Sequence, residues 1–239
     1  MIPYRDQPER RRRTTPYVML TLVVLNVLVF LYELSLGAGV ENFIAGLGVV
    51  PYEITTGTKI GSGSGIPPFL TILTSMFIHA GFLHIAGNML FLWVFGDNVE
   101  DRLGHWTFLV LYIVCGIFAA LAHVATDPFS PVPSIGASGA IAGVLAAYML
   151  LFPRATVDAL IVFLPVRIPA LLLIGFWIVW QLFNGLASLG VSTAQTSGVA
   201  YWAHIGGFFT GLLITLTLRA AGLIGKRPPR TWGGSGSSF

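Results

Sequence analysis

One serine in this sequence occupies a position that suits a nucleophile. It lies in the run Gly136-Ala137-Ser138-Gly139, which opens an apolar segment that Pro153 ends. Prolines also precede the segment, so we predict a helix that carries Ser138 in its first turn. Backbone N–H groups at a helix N-terminus are unpaired and can stabilise an oxyanion. This position favours acyl transfer, although a serine between small residues also occurs where helices simply pack closely.

The best candidate for the base is His204. An ionisable residue inside an apolar run is a functional hypothesis by default. Small residues recur every four positions on both runs, and such stripes let two helices approach closely: Gly139, Gly143 and Ala147 on the first, and Ala203, Gly207 and Gly211 on the second. Docking the stripes against each other would place the Ser138 hydroxyl and the His204 imidazole at the same depth.

No acidic residue is placed to complete a catalytic triad with Ser138 and His204. None of the ten Asp and Glu residues lies in a segment that would reach His204, and Asp127, the nearest in depth, falls in a loop. We therefore predict a Ser–His dyad with the base positioned by packing. The alternative, a histidine that is hydrogen-bonded only for structure, stays open at this point.

Two further polar residues lie at the same predicted depth. His84 and Asn88 are four positions apart, so they share one face of a helix. Both can donate hydrogen bonds toward a tetrahedral oxyanion. The structural alternative is a polar contact between helices.

The composition determines what must hold these residues in place. The chain has 239 residues, of which 55% are hydrophobic and only 10% charged. A soluble domain of this size carries about 25% charged residues, so we predict a protein that lies in a lipid bilayer. The net charge is +3, but the basic residues flank apolar runs and do not form a patch, so we expect no nucleic-acid partner.

Six apolar runs predict an all-α, polytopic bundle of six transmembrane helices. A span needs roughly 20 apolar residues, and continuous runs exclude an alternating barrel pattern. The fourth run is short, about 22 Å from Ser138 to Phe152 against a core of about 30 Å, so Ser138 would lie below the surface. The predicted runs are Tyr17–Leu36, Phe82–Phe95, Trp106–Ala125, Ala137–Phe152, Ile168–Leu189 and Val199–Leu218.

The charges flanking these runs predict an orientation. With the N-terminus in the cytoplasm, 12 of the 13 Lys and Arg residues fall inside and Lys59 alone falls outside. We therefore predict a multi-pass protein of the plasma or inner membrane with both termini cytoplasmic. The expected division is a basic segment at 1–16, a six-helix domain at 17–222 and a disordered tail at 223–239. The long connection at 37–78 falls outside and contains a flexible stretch at 57–65.

Taken together, these motifs resemble the rhomboid family of intramembrane proteases. The resemblance rests on His79-x4-His84-x3-Asn88, Gly136-x-Ser138-Gly139 and Ala203-His204-x-Gly206-Gly207, in that order on the expected runs. The sequence Glu100-Asp101-Arg102-Leu103-Gly104 also resembles the family pattern. The resemblance covers about residues 17–220.

The resemblance implies a role for each of these residues. Ser138 would be the nucleophile and His204 the general base, while His84, Asn88 and the Ser138 N–H would form the oxyanion hole. The residues predicted to bind the oxyanion or the substrate also include Gly136 and Ala137. The family resemblance also implies that the substrates are single-span membrane proteins, cut near the outer face. It further implies a gate for substrate entry, formed by the fifth span and the loop at about 190–199. One departure is Ala142, where some members carry an aromatic ring that stacks on the histidine.

Three other functions are alternatives to an intramembrane serine protease. A zinc protease would need ligands such as HExxH, which the sequence lacks, and we expect neither a metal nor another cofactor. A transporter or channel would place polar groups along a path through the membrane, whereas here they cluster at one depth. A catalytically inactive relative that only binds proteins is the third alternative.

Overall fold

The computed structural model describes residues 2–8, 14–60, 65–189 and 199–224. The arginine cluster at 10–13, most of the predicted gate loop at 190–199, the end of the tail from residue 225 onward and part of the stretch at 57–65 lie outside the described residues. The helices within the described ranges are α1 (Tyr17–Ser35), α2 (Val40–Leu47), α3 (Pro51–Thr56), α4 (Thr71–Thr74), α5 (Phe82–Leu103), α6 (His105–Thr126), α7 (Ser138–Leu151), α8 (Ala170–Ala187) and α9 (Tyr201–Ala220).

Each of the six predicted runs forms a helix, but not every one of them is a clear span. In the described part of the chain, α1, α6, α8 and α9 are long and apolar enough to cross a bilayer. A fifth candidate joins Pro68–Phe77 to α5 across a bend of 80°. Helix α7 has only 14 residues. The protein is thus mostly helical with four or five candidate spans, and a count of six stays a prediction.

The all-α expectation needs a correction, because three strands form an antiparallel sheet in the order β1-β2-β3. They are β1 (Ile2–Gln7), β2 (Thr156–Ile161) and β3 (Leu164–Pro169). The predicted fifth span began too early, since Ile168 belongs to β3. The connection between α7 and α8 reads as apolar, but Val157 and Ala159 alternate with more exposed residues, which is the period of a half-buried strand.

The sheet lies at the end of the bundle opposite Ser138, where α7 stops and α8 begins. Strand β1 holds the N-terminal residues against this end: the Asp6 carboxylate accepts hydrogen bonds from the Tyr148 hydroxyl at 2.6 Å and from Asn98 Nδ2 at 2.8 Å. Residues 2–7, predicted to belong to a separate basic segment, therefore pack with the helices.

The Glu100–Gly104 motif fastens the first helix to the turn between α5 and α6. The fully buried Glu100 carboxylate accepts the N–H groups of Val18 and Met19 at 3.0 and 2.7 Å, so it satisfies free donors at the start of α1. Gly104 has φ +85°, a conformation that glycine adopts readily, and it reverses the chain between the two helices.

Helix α7 is the centre of the bundle. Every residue from Gly139 to Tyr148 is buried, and the helix packs against α5, α6 and α9. The short length of α7 therefore leaves Ser138 within a wall of other helices.

Candidate active site

The predicted nucleophile and the predicted base are in hydrogen-bond contact. Ser138 is the first residue of α7, and His204 lies in the first turn of α9. Their Oγ and Nε2 atoms are 2.8 Å apart, within the range for a base that takes a proton from a hydroxyl.

The small-residue stripes bring these two side chains together, as the sequence predicts. A Cβ added to Gly207 would overlap the backbone carbonyl of Gly139, and one added to Gly211 would overlap that of Gly143. The backbones of α7 and α9 are therefore in direct contact, with no room for a side chain between them. This contact fixes the separation of Ser138 and His204.

The second ring nitrogen of His204 has a partner that the sequence analysis missed. His204 Nδ1 lies 2.8 Å from Gln181 Oε1, on α8. The indole of Trp177, one turn earlier on α8, lies against the imidazole with ring centroids 5.6 Å apart and planes at 38°. A polar amide in a largely apolar span was the signal for Gln181, although Asn184 in the same run carries the same signal.

His84 is oriented as a donor toward the start of α7. Its Nδ1 accepts the Ala80 N–H at 3.3 Å, so in the neutral ring the proton lies on Nε2. That Nε2 would be 2.7 Å from a Cβ added to Gly136, which has φ +124°. Glycine at 136 therefore suits both the backbone conformation and the approach of the His84 ring.

Asn88 provides a free donor in the same region. Its Nδ2 is buried and has no hydrogen-bond partner among the described residues. A buried amide without a partner is costly, and such groups occur at functional sites. Ala137, also predicted to belong to the site, is fully buried, and its carbonyl accepts the first backbone hydrogen bond of α7, from Ile141.

These side chains share a cavity of about 690 Å³. Ser138, His204, His84 and Asn88 line it, together with His123 and mostly apolar residues that include Trp177 and Ala142. The cavity is therefore an apolar chamber with polar groups concentrated near one serine, the usual form of a binding site for an extended apolar ligand. Within the described ranges, no cluster of three or more His, Cys, Asp or Glu could hold a metal ion.

A family model described as "Rhomboid domain" matches residues 68–221. The chain is 33% identical to the rhomboid protease GluP of Bacillus subtilis over 218 residues, which are 90% of this chain and 37% of GluP. It is 29% identical to the rhomboid protease AarA of Providencia stuartii over 212 residues, 82% of this chain and 70% of AarA.

A mitochondrial protein is also similar to this chain. Rhomboid protein 1 of Saccharomyces cerevisiae is 34% identical over 152 residues, 60% of this chain and 40% of the yeast protein. The chain thus spans well under half the length of GluP and of the yeast protein. Since the family model matches more than half of the sequence and encloses Ser138 and His204, this chain belongs to the rhomboid family.

Proposed function

We propose that this protein is an intramembrane serine endopeptidase with a Ser138–His204 dyad. The observation that carries the proposal is the 2.8 Å contact between Ser138 Oγ and His204 Nε2 inside an apolar cavity. The names of GluP and AarA, both rhomboid proteases, support the same reaction class.

The proposed reaction follows from the positions of the donors. His204 Nε2 takes the Ser138 proton as Oγ attacks the carbonyl carbon of the scissile peptide. His84 Nε2–H, Asn88 Nδ2–H and the Ser138 backbone N–H hydrogen-bond the oxyanion. The His204 imidazolium then protonates the leaving amine, and the C–N bond breaks. Water, deprotonated by His204, hydrolyses the acyl-enzyme and releases the new carboxyl end.

The depth of Ser138 indicates where a substrate would be cut. Helix α7 spans about 21 Å from Ser138 to its end, against a hydrocarbon core of about 30 Å. A helical substrate hides its carbonyls in hydrogen bonds, so it must unwind locally, which is easiest near Gly or Pro. We propose single-span membrane proteins as substrates, cut in the outer third of the span. We also propose a plasma or inner membrane location with both termini cytoplasmic.

Reconstitution tests this proposal. The protein is placed in liposomes with a panel of single-span proteins, and the products are mapped by mass spectrometry. We expect cuts in the outer third of the span, and none with Ser138→Ala. Ser35→Ala is the matched control, because the Ser35 hydroxyl bonds only within its own helix, to the Tyr32 carbonyl. Equal cleavage by Ser138→Ala would refute the nucleophile, and cuts in the opposite half of the span would refute the proposed depth and orientation.

A further inference from the structure

The amide of Gln181 occupies the position at which serine proteases of other folds place a carboxylate. We propose that Gln181 is a positioning residue that fixes the tautomer and orientation of His204, an inference that rests on the proposed protease function. Gln181 is only 5% exposed, and its Oε1 lies 2.8 Å from His204 Nδ1.

The two contacts of the imidazole determine its protonation state. To accept the Ser138 proton, Nε2 must be bare, so in the neutral ring Nδ1 carries the hydrogen. A carbonyl oxygen at 2.8 Å accepts that N–H and favours this tautomer. With the amide in this orientation, the alternative tautomer would bring Nδ1 and Oε1 together as two acceptors, and Nε2 could not act as a base.

A neutral amide suits this location better than a carboxylate would. Burying an unpaired charge in an apolar environment is costly, whereas an amide dipole supports the imidazolium without adding a charge to the resting state. Trp177 lies one turn away on the same helix and against the same ring. Helix α8 therefore supplies both contacts at a site where Ala142 provides no ring of its own.

Matched substitutions at this position separate positioning from folding. Gln181→Met keeps the length of the side chain and removes the acceptor, and we expect kcat to fall about 10- to 100-fold with KM little changed. Gln181→Glu restores an acceptor but buries a charge, so it should recover part of the loss and give a pH–rate profile different from that of the wild type. Asn184→Leu is the control, because the Asn184 amide bonds only to the Trp180 carbonyl on its own helix, and we expect wild-type kcat.

Histidine 15N spectra report on the tautomer without any substrate. The His204 signals, assigned with His204→Ala, should show Nδ1–H in the wild type and a mixture of tautomers in Gln181→Met. Wild-type kcat with an unchanged spectrum in Gln181→Met would overturn the proposal, as would equal losses in the Met and Glu variants. Failure of the wild type to cleave any substrate or to react with a fluorophosphonate would instead count against the protease function, while the spectra would still decide the role of Gln181.

A second inference concerns the turn between β2 and β3, which is both apolar and strained. Ile161, Val162, Phe163 and Leu164 are 40%, 83%, 91% and 69% exposed. Val162 and Phe163 have φ of +46° and +71°, in the region that Gly and Asn normally occupy in such turns. A β-branched and an aromatic residue are unfavourable in this backbone conformation. Their presence therefore indicates that the apolar side chains have a function that offsets the strain.

The burial of side chains along β2 and β3 indicates what surrounds the turn at residues 161–164. Val157 and Ala159 are fully buried against the end of the bundle, and Ile161 is the next residue on the same face. Leu164 pairs with Ile161 and shares that face. Because the face is covered along β2 and uncovered at the turn, the helices leave this apolar tip exposed, and an exposed apolar patch on a membrane protein suits lipid better than water. Exposed Leu171 and Leu172, just after β3, continue the apolar surface into α8.

We infer that residues 161–164 insert into the bilayer leaflet nearest the sheet. A nitroxide at Phe163→Cys in a Cys115→Ala background, in lipid nanodiscs, should be more accessible to O₂ than to a water-soluble nickel complex. A nitroxide at Pro165→Cys is the control, because Pro165 pairs with Leu160 on the opposite face, and it should give a lower ratio. Greater access of nickel at position 163 than at position 165 would overturn the inference.

Discussion

At the scale of single residues, the imidazole of His204 is held between two helices. Ser138 on α7 meets one ring nitrogen, and Gln181 on α8 meets the other. The residue types and spacings predicted the first contact, because matched glycine stripes imply a common depth for Ser138 and His204. They did not predict the second, since the register of α8 depends on contacts distant in sequence and no repeat marks Gln181.

The proposed dyad should behave as a unit. Ser138→Ala and His204→Ala should each abolish cleavage, and the double variant should be about as inactive as either single one, because each residue acts only through the other. Cleavage rates and fluorophosphonate labelling in liposomes measure this effect. Additive losses from two partially active single variants would show that the residues work independently.

Asn88 should contribute to the transition state more than to substrate binding. Its buried Nδ2 has no partner among the described residues, so it is available to an oxyanion. Asn88→Leu should lower kcat roughly 100- to 1,000-fold with a smaller change in KM, as for the loss of one oxyanion donor. A rise in KM at unchanged kcat would instead indicate a role in ground-state binding.

At the scale of elements, the closest packing in the bundle lies between α7 and α9. Gly207→Ala would push the added methyl into the Gly139 carbonyl, so we expect lower thermal stability and cleavage reduced about 100-fold, since a shift of about 1 Å misaligns the dyad. The matched control is Gly175→Ala on α8, where an added Cβ meets nothing within 4 Å. Equal behaviour of the two variants would contradict the proposed role of this contact.

Strand β1 gives the protein a pH-dependent contact at the opposite end. Burial raises the pKa of Asp6, and hydrogen bonds from Tyr148 and Asn98 offset only part of that rise. Because the folded state then holds this proton more tightly than the unfolded state, the contribution of Asp6 to stability falls as pH rises from about 4. The melting temperature of the wild type minus that of Asp6→Asn should therefore decrease over this range. An increase would show that the ionised carboxylate is the preferred form.

The elements also show where prediction from the sequence reached its limit. Each of the six predicted runs coincides with a helix, and the start of α1 agrees to the residue. The run from Phe82 ended too early, at Phe95, because the helix continues to Leu103 through charged residues, of which Glu100 binds the start of α1. The sheet was not predicted because β2 and β3 are short and lead directly into the apolar α8, while β1 lies in a charged segment at the N-terminus.

At the scale of the whole molecule, the two ends of the bundle differ. The cavity with its polar residues lies at one end, and the three-stranded sheet covers the other. Apolar composition and the asymmetry of basic residues predict a membrane protein and its orientation, and the sheet lies at the end that this orientation places in the cytoplasm. The N-terminal strand could not be predicted, because its partners in β2 lie about 150 residues away in the chain.

The central position of α7 also affects how the protein meets bilayers of different thickness. A lipid-facing helix of 14 residues would create hydrophobic mismatch, which costs a fraction of a kcal/mol per Å. Since residues 139–148 of α7 are buried, the outer helices should take up any mismatch and the helix that carries Ser138 should not. The rate of labelling of Ser138 by a small fluorophosphonate should therefore stay constant as the lipid acyl chains lengthen from 14 to about 20 carbons. The cleavage site, in contrast, should move along the substrate span. The substrate lies in the lipid and shifts with its thickness, whereas Ser138 is shielded from the lipid by the other helices. With the proposed protease activity, the position of the cut in the substrate would then depend on the thickness of the membrane.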